Sequence, residues 1–271
     1  MHLHPSGFRD RVDLKSLEWS CLMNRCKSII ILLFPHFVSM YVRLTKKPIT
    51  GGMLDVRIEM DPLWNHVLKA DEDTLALVKK ECESADLLLS FHEAINLVWA
   101  TKSTSHIFGS IAEVGSFNGG SANLILCSDL DGTRKMHLFD TFTGLPEVKE
   151  GFDGTMKIGD FKGSQVSTVK LKLERYTEKT VYHVGIFPET TKGIPLSSRY
   201  SLVHLDADTY QTTLAALTYF YPLMTPGSFF ILHDYSSISC PGVRRAIDGF
   251  FSDKNEVVIP LWHTQALVIM Q

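Results

Sequence analysis

The chain has 271 residues, of which 45% are hydrophobic and 21% are charged, and its formal net charge is -3. This composition is typical of a folded globular protein and excludes a wholly disordered chain. It shows no basic excess of the kind that nucleic-acid binding requires, so we expect no nucleic-acid partner.

Residues 1–70 differ from the rest of the chain, and we interpret them as an N-terminal extension of uncertain order. The apolar run at 28–42 is interrupted by Pro35 and His36 and is too short for a membrane span. It starts late and offers no small-residue cleavage site, so a buried or interfacial helix is favoured over a signal anchor. The sequence therefore predicts no stable membrane span.

Five cysteines are scattered along the chain. They are Cys21, Cys26, Cys82, Cys127 and Cys240. An odd, dispersed set does not indicate a disulfide framework, and no zinc-ligand spacing accompanies the one close pair. We expect reduced thiols and a cytoplasmic protein.

Residues 71–271 are predicted to form one domain that begins with a helical lead-in at 71–105. Apolar side chains between residues 71 and 99 recur at the spacing of one or two amphipathic helices. His92 and Glu93 fall on this lead-in, and we interpret them as part of a solvated helix face.

From residue 110 onward, short apolar runs alternate with helix-compatible segments. The predicted strands are 110–115, 135–140, 180–185, 200–206, 228–234, 256–262 and 265–271. The predicted helices between them are 121–130, 165–176, 209–221 and 242–251. This alternation predicts an α/β fold with a mostly parallel sheet covered on both faces.

The last two predicted strands have only His263 and Thr264 between them, so they must form an antiparallel hairpin. A seven-stranded, mostly parallel sheet that ends in such a hairpin is the order of a Rossmann-like, class I methyltransferase. Five of the predicted strands end in a glycine or an aspartate. In open α/β sheets, ligands bind beyond these carboxyl ends.

The segment EVGSFNGGSA at 113–122 joins the first predicted strand to a helix. Its glycines allow a sharp turn and a close backbone approach, and the helix N-terminus suits the carboxylate of an amino-acid-like ligand. The spacing of Gly115, Gly119 and Gly120 is not G-x-G-x-x-G, so the dinucleotide fingerprint is absent. A tight turn without a ligand is the alternative.

Asp140 ends the second predicted strand, where an acid is well placed to accept both hydroxyls of a ribose. The alternative is a turn cap, because Thr141, Thr143 and Gly144 follow it. The glycine segment upstream favours the ribose interpretation.

Asp206 and Asp234 end two further predicted strands. Carboxylates gathered in this way repel one another and need a cation or a shared proton. Oxygen-rich sites suit Mg²⁺, which would lower the pKa of an acceptor hydroxyl and hold it in line for transfer. Asp208 is either part of this site or the cap of the next helix.

Over about residues 106–271 the chain resembles the macrocin O-methyltransferase (TylF-type) family. The resemblance rests on the blocks EVGSFNGGS, LFDTFTGLPE, GIFPET, VHLDADTYQTTLAAL, LMTPGSFFILHDY and PGVRRAIDGF. It implies S-adenosylmethionine (SAM) above the glycine segment and a divalent metal, usually Mg²⁺. The implied cofactor contacts are Glu113, Gly115, Ser116, Asn118, Gly119, Ser121, Asp140 and Thr141. Asp206 and Asp234 are the implied metal ligands, and Asp208 is a further ligand or the general base.

The chain departs from the family where His233-Asp234 replaces two adjacent aspartates. Histidine is a poorer ligand for Mg²⁺ and suits Mn²⁺, Fe²⁺ or Zn²⁺ better. His233 is therefore a candidate metal ligand and a candidate catalytic base. A weakly held or absent metal is the remaining alternative.

These features predict a SAM-dependent O-methyltransferase that acts on a hydroxyl of a sugar or small metabolite, assisted by a divalent metal. We expect a small hydroxylated acceptor as the partner and leave a homo-oligomer open. A catalytically inactive SAM-binding protein is the first alternative. A nicotinamide-dependent oxidoreductase is the second, and the glycine spacing and the terminal hairpin argue against it.

Overall fold

The computed structural model describes residues 72–84, 86–130 and 132–271. The predicted N-terminal extension and its apolar run lie outside the described residues, so the domain division stays a prediction. Within the described ranges, no helix has the length and apolar character to cross a membrane. Among the described residues, Cys127 and Cys240 form no disulfide.

In this part of the chain, seven strands form one sheet. They are β1 Ser110–Val114, β2 Met136–Asp140, β3 Thr180–Val184, β4 Tyr200–Leu205, β5 Met224–Leu232, β6 Ile259–Pro260 and β7 Ala266–Ile269. The order across the sheet is β3-β2-β1-β4-β5-β7-β6. β1 to β5 pair in parallel, whereas β7 is antiparallel to both β5 and β6. The predicted α/β fold with a C-terminal antiparallel hairpin is confirmed.

Six α-helices accompany these strands in the described residues. They are α1 Glu72–Cys82, α2 Phe91–Ser103, α3 Gly120–Ser128, α4 Val166–Lys172, α5 Tyr210–Phe220 and α6 Pro241–Phe251. α2 begins with a capping box, in which the Ser90 side chain accepts from the Glu93 N–H and the Glu93 carboxylate accepts from the Ser90 N–H. α4 is shorter than predicted and is followed by the 3₁₀ turn Glu174–Tyr176.

The strands bury apolar side chains on both faces, as a sheet between two helix layers requires. Val203 and Phe230 pack into a core that includes residues of α5 and α6. Leu202 and Ile231, one position away on the same strands, pack into a second core with residues of α1 to α4. The period-2 alternation of the strands therefore divides the interior into two layers.

The ends of β1 and β4 meet at the centre of the sheet, where the strand order reverses. This is the point at which open α/β sheets form a crevice. The Asp206 N–H donates to the Val114 carbonyl oxygen over 2.9 Å. Gly115 has φ +88°, and a Cβ atom there would lie 1.8 Å from the Asp206 carbonyl oxygen. The crevice therefore depends on a residue without a side chain at position 115.

We expect Gly115→Ala to destabilise the fold by about 2 kcal/mol or more, because the added methyl group meets backbone and the positive φ is strained. Urea unfolding monitored by circular dichroism measures the change. Gly249→Ala is the matched control, since a Cβ at Gly249 in α6 meets nothing within 4 Å. Alanine there should stabilise the helix by up to about 1 kcal/mol. Equal stability of the two variants would contradict this account.

Candidate active site

A cavity of about 350 Å³ opens at the carboxyl ends of β1, β2, β4 and β5. Seven of the predicted site residues line it, although they are far apart in sequence. They are Gly115, Asp140, Thr141, Asp206, Asp208, His233 and Asp234. The wound sheet therefore brings the glycine turn and the strand-end acids to one site, as the sequence predicts.

Apolar side chains form much of the rest of the cavity wall. Among them are Phe117, Phe139, Met156, Phe161 and Phe187. Met156 and Phe161 belong to the connection between β2 and α4. A cavity with apolar walls and a few convergent polar groups is the usual form of a small-molecule site.

Buried Asp153 anchors the β2–α4 connection to α5. Its Oδ2 accepts from the Lys149 N–H over 2.6 Å, and its Oδ1 accepts from the Tyr210 N–H over 2.7 Å. Asp153 thus binds the first turn of α5, while the residue preceding that helix, Thr209, makes no side-chain cap. The alternative role of Asp208 as a helix cap is not observed. Sequence patterns did not identify Asp153, which lies 57 residues from its partner Tyr210.

Asp140 stabilises the conformation of the turn after β1. Its Oδ2 accepts from the N–H groups of Ser116 and Phe117 over 2.8 and 2.9 Å, and its Oδ1 accepts from the Phe142 N–H over 2.6 Å. The carboxylate therefore uses three of its roughly four acceptor positions on the backbone. Thr141, the next residue, donates its hydroxyl to the Gly144 carbonyl oxygen.

The other predicted cofactor contacts do not line the cavity in the described structure. Glu113 is fully buried in β1, and its Oε1 lies 2.9 Å from His204 Nδ1 on β4. Glu113 therefore pairs inside the sheet, and its side chain is not placed for direct cofactor contact. The remaining four contacts lie in or just after the turn: Ser116, Asn118, Gly119 and Ser121.

The turn itself is fixed from several sides. Asn118 contributes to the lowered pKa of Asp86, and the Ser164 hydroxyl donates to the Phe117 carbonyl oxygen. Gly119 precedes α3 with φ +77°, and no side chain caps the helix there. The backbone N–H groups at this helix end therefore have no side-chain cap and can bind another partner. The sequence predicts that this partner is the carboxylate of an amino-acid-like ligand.

Three candidate metal-ligand side chains converge at the ends of β4 and β5. Donor atoms of Asp206, His233 and Asp234 all lie within 4.8 Å of one another. His233 Nδ1 is 3.0 Å from Asp206 Oδ1 and 3.1 Å from Asp234 Oδ2. Two carboxylate oxygens and one imidazole nitrogen are a suitable donor set for a divalent cation.

Charges within this cluster shift the pKa values of its members. Burial raises the pKa of Asp208 well above its usual range, and the charges of Asp206 and Asp234 act in the same direction. Burial alone would lower the pKa of His233. The neighbouring carboxylates, Asp206 above all and then Asp234 and Glu93, instead raise it well above the usual value. Burial would raise the pKa of Asp234, yet contact with His233 lowers it.

Glu93 also belongs to this site, so the interpretation of it as a solvated residue is wrong. It is 2% exposed, and its Oε1 lies 3.4 Å from His233 Nε2. The same oxygen accepts from the Thr264 N–H over 3.2 Å and lies 3.0 Å from His263 Nδ1. Burial would raise the pKa of Glu93, but His233, Thr264 and Ser90 together lower it below its usual range.

His92, the neighbour of Glu93, is only half-buried, and its ring lies 6.3 Å from that of Trp262. The Ser90-x-x-Glu93 pattern marks the start of a helix, and it was the signal that could have placed Glu93 at the first turn of α2. Nothing in that pattern indicates that the second carboxylate oxygen faces the site.

Cys240 lines the cavity beside the carboxylates. Its Sγ lies 3.9 Å from Asp208 Oδ1, and it forms a second candidate ligand group with Asp208 and Asp234. Burial raises the pKa of its thiol, and the charges of Asp234 and Asp208 add to the effect. A cysteine this close to the acids was not assigned to the site from sequence.

Known proteins match the region that contains this cavity. A family model described as Macrocin-O-methyltransferase (TylF) matches residues 87–269. The "8-demethyl-8-(2,3-dimethoxy-alpha-L-rhamnosyl)-tetracenomycin-C 4'-O-methyltransferase" of Streptomyces olivaceus is 30% identical over 144 residues, which is 49% of this chain and 55% of that protein. The chain spans between 55% and 59% of the length of the curated relatives that it matches.

Solved structures share the fold. The O-methyltransferase NovP has 22% identity and a TM-score of 0.61, over 69% of this chain and 83% of that one. TomG from Streptomyces achromogenes, an O-methyltransferase solved in complex with SAM, has 14% identity and a TM-score of 0.51, over 80% of this chain and 100% of that one. At these identities the structures support the fold. The family match spans most of the chain, which therefore belongs to the macrocin O-methyltransferase (TylF) family.

Proposed function

We propose that this chain transfers the methyl group of SAM to a hydroxyl of a sugar or another small hydroxylated metabolite, assisted by a divalent metal. The observation that carries the proposal is that Gly115, Asp140 and the acids that follow β4 and β5 all line the same cavity. Family membership and the named reactions of the relatives support it. Neither the cavity nor the family match favours an inactive SAM-binding protein or a nicotinamide-dependent enzyme.

SAM fits the β1–β2 side of the cavity. Gly115 lets a ligand approach the backbone, and the uncapped start of α3 suits the carboxylate of the methionine moiety. Asp140 has about one acceptor position left, on Oδ1, so we assign it one ribose hydroxyl and the shaping of the turn. When bound, SAM supplies the methyl group on a positively charged sulfur.

Asp208 is the residue we assign to the acceptor proton. Asp208 would accept the proton of the acceptor hydroxyl while that oxygen took the methyl group that bound SAM would supply. Burial, the largest cause of its raised pKa, makes the deprotonated group a stronger base, and a cation held by Asp206 and Asp234 would favour that deprotonated form. His233 is less suited to this role, because Nδ1 faces two carboxylates and Nε2 faces Glu93.

Asp206, His233 and Asp234 would hold the metal ion. When bound, the ion lowers the pKa of the acceptor hydroxyl and aligns it with the methyl group. Both aspartates lie within reach of the cavity, with side chains 21% and 13% exposed. They can therefore contact the metal and leave room for an acceptor oxygen.

Methyl transfer should depend on Asp208 and on the metal-binding acids. With SAM and a panel of rhamnosides and other glycosides, the wild type should release S-adenosylhomocysteine, and we expect Asp208→Asn to lower kcat by about 10²-fold or more. Asp206→Asn should remove the dependence of the rate on added divalent metal. Quantification of S-adenosylhomocysteine by mass spectrometry measures both.

Asp253→Asn is the control, because Asp253 is an exposed acid outside the cavity that pairs with Lys254. It should retain the wild-type rate. Tight SAM binding by the wild type without transfer to any acceptor in the panel would contradict the transferase proposal. Full activity of Asp206→Asn after removal of metal would contradict the metal-assisted step alone.

Asp140→Asn tests the two tasks of this carboxylate. An amide has one acceptor oxygen, so one or two backbone N–H groups of the turn lose a charge-assisted hydrogen bond, each of about 1.5–3 kcal/mol. We expect faster hydrogen exchange at Ser116 and Phe117 and an increase of at least about tenfold in the SAM Kd by calorimetry. Asp160→Asn, which affects an exposed bond to the Lys157 N–H, is the control. Unchanged exchange at the turn would contradict the assignment.

A further inference from the structure

We propose that the metal site of this chain prefers a first-row transition ion such as Mn²⁺ or Co²⁺ over Mg²⁺. His233 Nδ1 acts as a ligand, and Glu93 is the positioning residue that orients the ring. This inference rests on the divalent metal of the proposed function and concerns which ion the site selects and how.

The two ring nitrogens of His233 face different groups. Nδ1 lies 3.0 and 3.1 Å from oxygens of Asp206 and Asp234, whereas Nε2 lies 3.4 Å from Glu93 Oε1. Both nitrogens are buried, and neither makes a well-aligned hydrogen bond within the described residues. A neutral imidazole with its proton on Nε2 directs the Nδ1 lone pair at the two carboxylates. Such a grouping of acceptors is stable when a cation lies between them.

Glu93 is held rigidly in the position that this arrangement needs. Its Oε2 accepts from the Ser90 N–H over 2.9 Å, and its Oε1 accepts from both the N–H and the hydroxyl of Thr264. The side chain is therefore fixed from α2 and from the turn before β7. A carboxylate behind a metal-bound histidine sets the tautomer and the orientation of the ring.

The change of donor set alters the preference between ions. Mg²⁺ favours oxygen ligands in near-octahedral geometry, whereas imidazole suits first-row transition ions. A neutral His233 with Asp206 and Asp234 carries two negative charges, where three aspartates would carry three. The site therefore loses charge attraction for a hard ion and gains a nitrogen donor for a softer one.

The test uses the full chain after treatment with a chelator. Calorimetric titration with MnCl₂ and with MgCl₂ compares the two affinities, and pulsed electron paramagnetic resonance of the Mn²⁺ complex detects coupling to a directly bound ¹⁴N nucleus. We expect Mn²⁺ to bind at least about tenfold more tightly than Mg²⁺ and to show nitrogen coupling. Mg²⁺ binding as tight as that of Mn²⁺, or a Mn²⁺ complex without nitrogen coupling, would overturn the inference.

Variants separate the two roles. Glu93→Gln should weaken Mn²⁺ binding about 10- to 100-fold and affect Mg²⁺ less, because the ring loses its charged partner. His233→Asp should abolish the nitrogen coupling and shift the preference towards Mg²⁺. Since a new carboxylate would face Glu93, the double variant His233→Asp, Glu93→Gln is prepared as well, with circular dichroism to verify folding. Retention of nitrogen coupling in a folded His233→Asp variant would also overturn the inference.

Two control variants test neighbouring groups. His263→Asn removes another imidazole that touches Glu93, at a residue with φ +73° that asparagine tolerates. Cys240→Ser removes the thiol of the second candidate ligand group. Both should keep the Mn²⁺ preference and the nitrogen coupling. Loss of the preference in Cys240→Ser would assign the selectivity to sulfur and overturn the role of His233.

Failure of this inference and failure of the proposed function are distinguishable. SAM calorimetry and the transfer assay test the methyltransferase, whereas the metal titrations need neither SAM nor acceptor. A protein that binds Mn²⁺ through nitrogen and lacks transfer activity supports the inference and contradicts the proposed function. A protein that transfers methyl groups equally well without metal, and binds no Mn²⁺, overturns the inference and the metal-assisted step, and it supports SAM-dependent methyl transfer.

Discussion

Carboxylates crowd together at the ends of β4 and β5, and the positive charge that must accompany them governs the rest of the site. Two unit charges 4 Å apart repel each other by about 4 kcal/mol at an effective dielectric constant of 20. Without a metal, His233 can supply the balancing charge, which explains why its pKa rises while that of Asp234 falls. Because a bound cation competes with that proton, metal binding and protonation of His233 oppose each other.

Glu93 extends this electrostatic constraint into the fold. One carboxylate closes the first turn of α2, fixes Thr264 before β7 and faces His233. The antiparallel hairpin that distinguishes this sheet from a fully parallel one therefore also contributes to the site, because its turn supplies partners for Glu93. A change in the hairpin turn would therefore affect His233 through the side chain of Glu93.

The sequence predicted the site residues that follow the ends of strands. It did not predict the contacts that depend on the direction in which a side chain points. Gly115, Asp140 and Asp206 follow apolar runs, and parallel strands place such residues at one rim. The side chain of Glu113 could not be placed in this way, because β1 is buried on both faces and alternation does not say which face binds a ligand. Glu93 was missed since its partners lie about 140–170 residues away, beyond the reach of any local pattern.

Backbone geometry differs between the two adjacent positions 233 and 234. Asp234 has φ +59° and Asp208 has φ +60°, in the left-handed region that aspartate tolerates better than most residues. His233 is not among the positive-φ residues, and its N–H continues the ladder by donating to the Leu205 carbonyl oxygen over 2.9 Å. The imidazole at 233 is therefore attached to backbone that continues the ladder of β5, whereas Asp234 lies in the turn that follows. The two neighbouring side chains thus reach the site from different backbone conformations, which lets His233 Nδ1 lie 3.0 Å from Asp206 and 3.1 Å from Asp234.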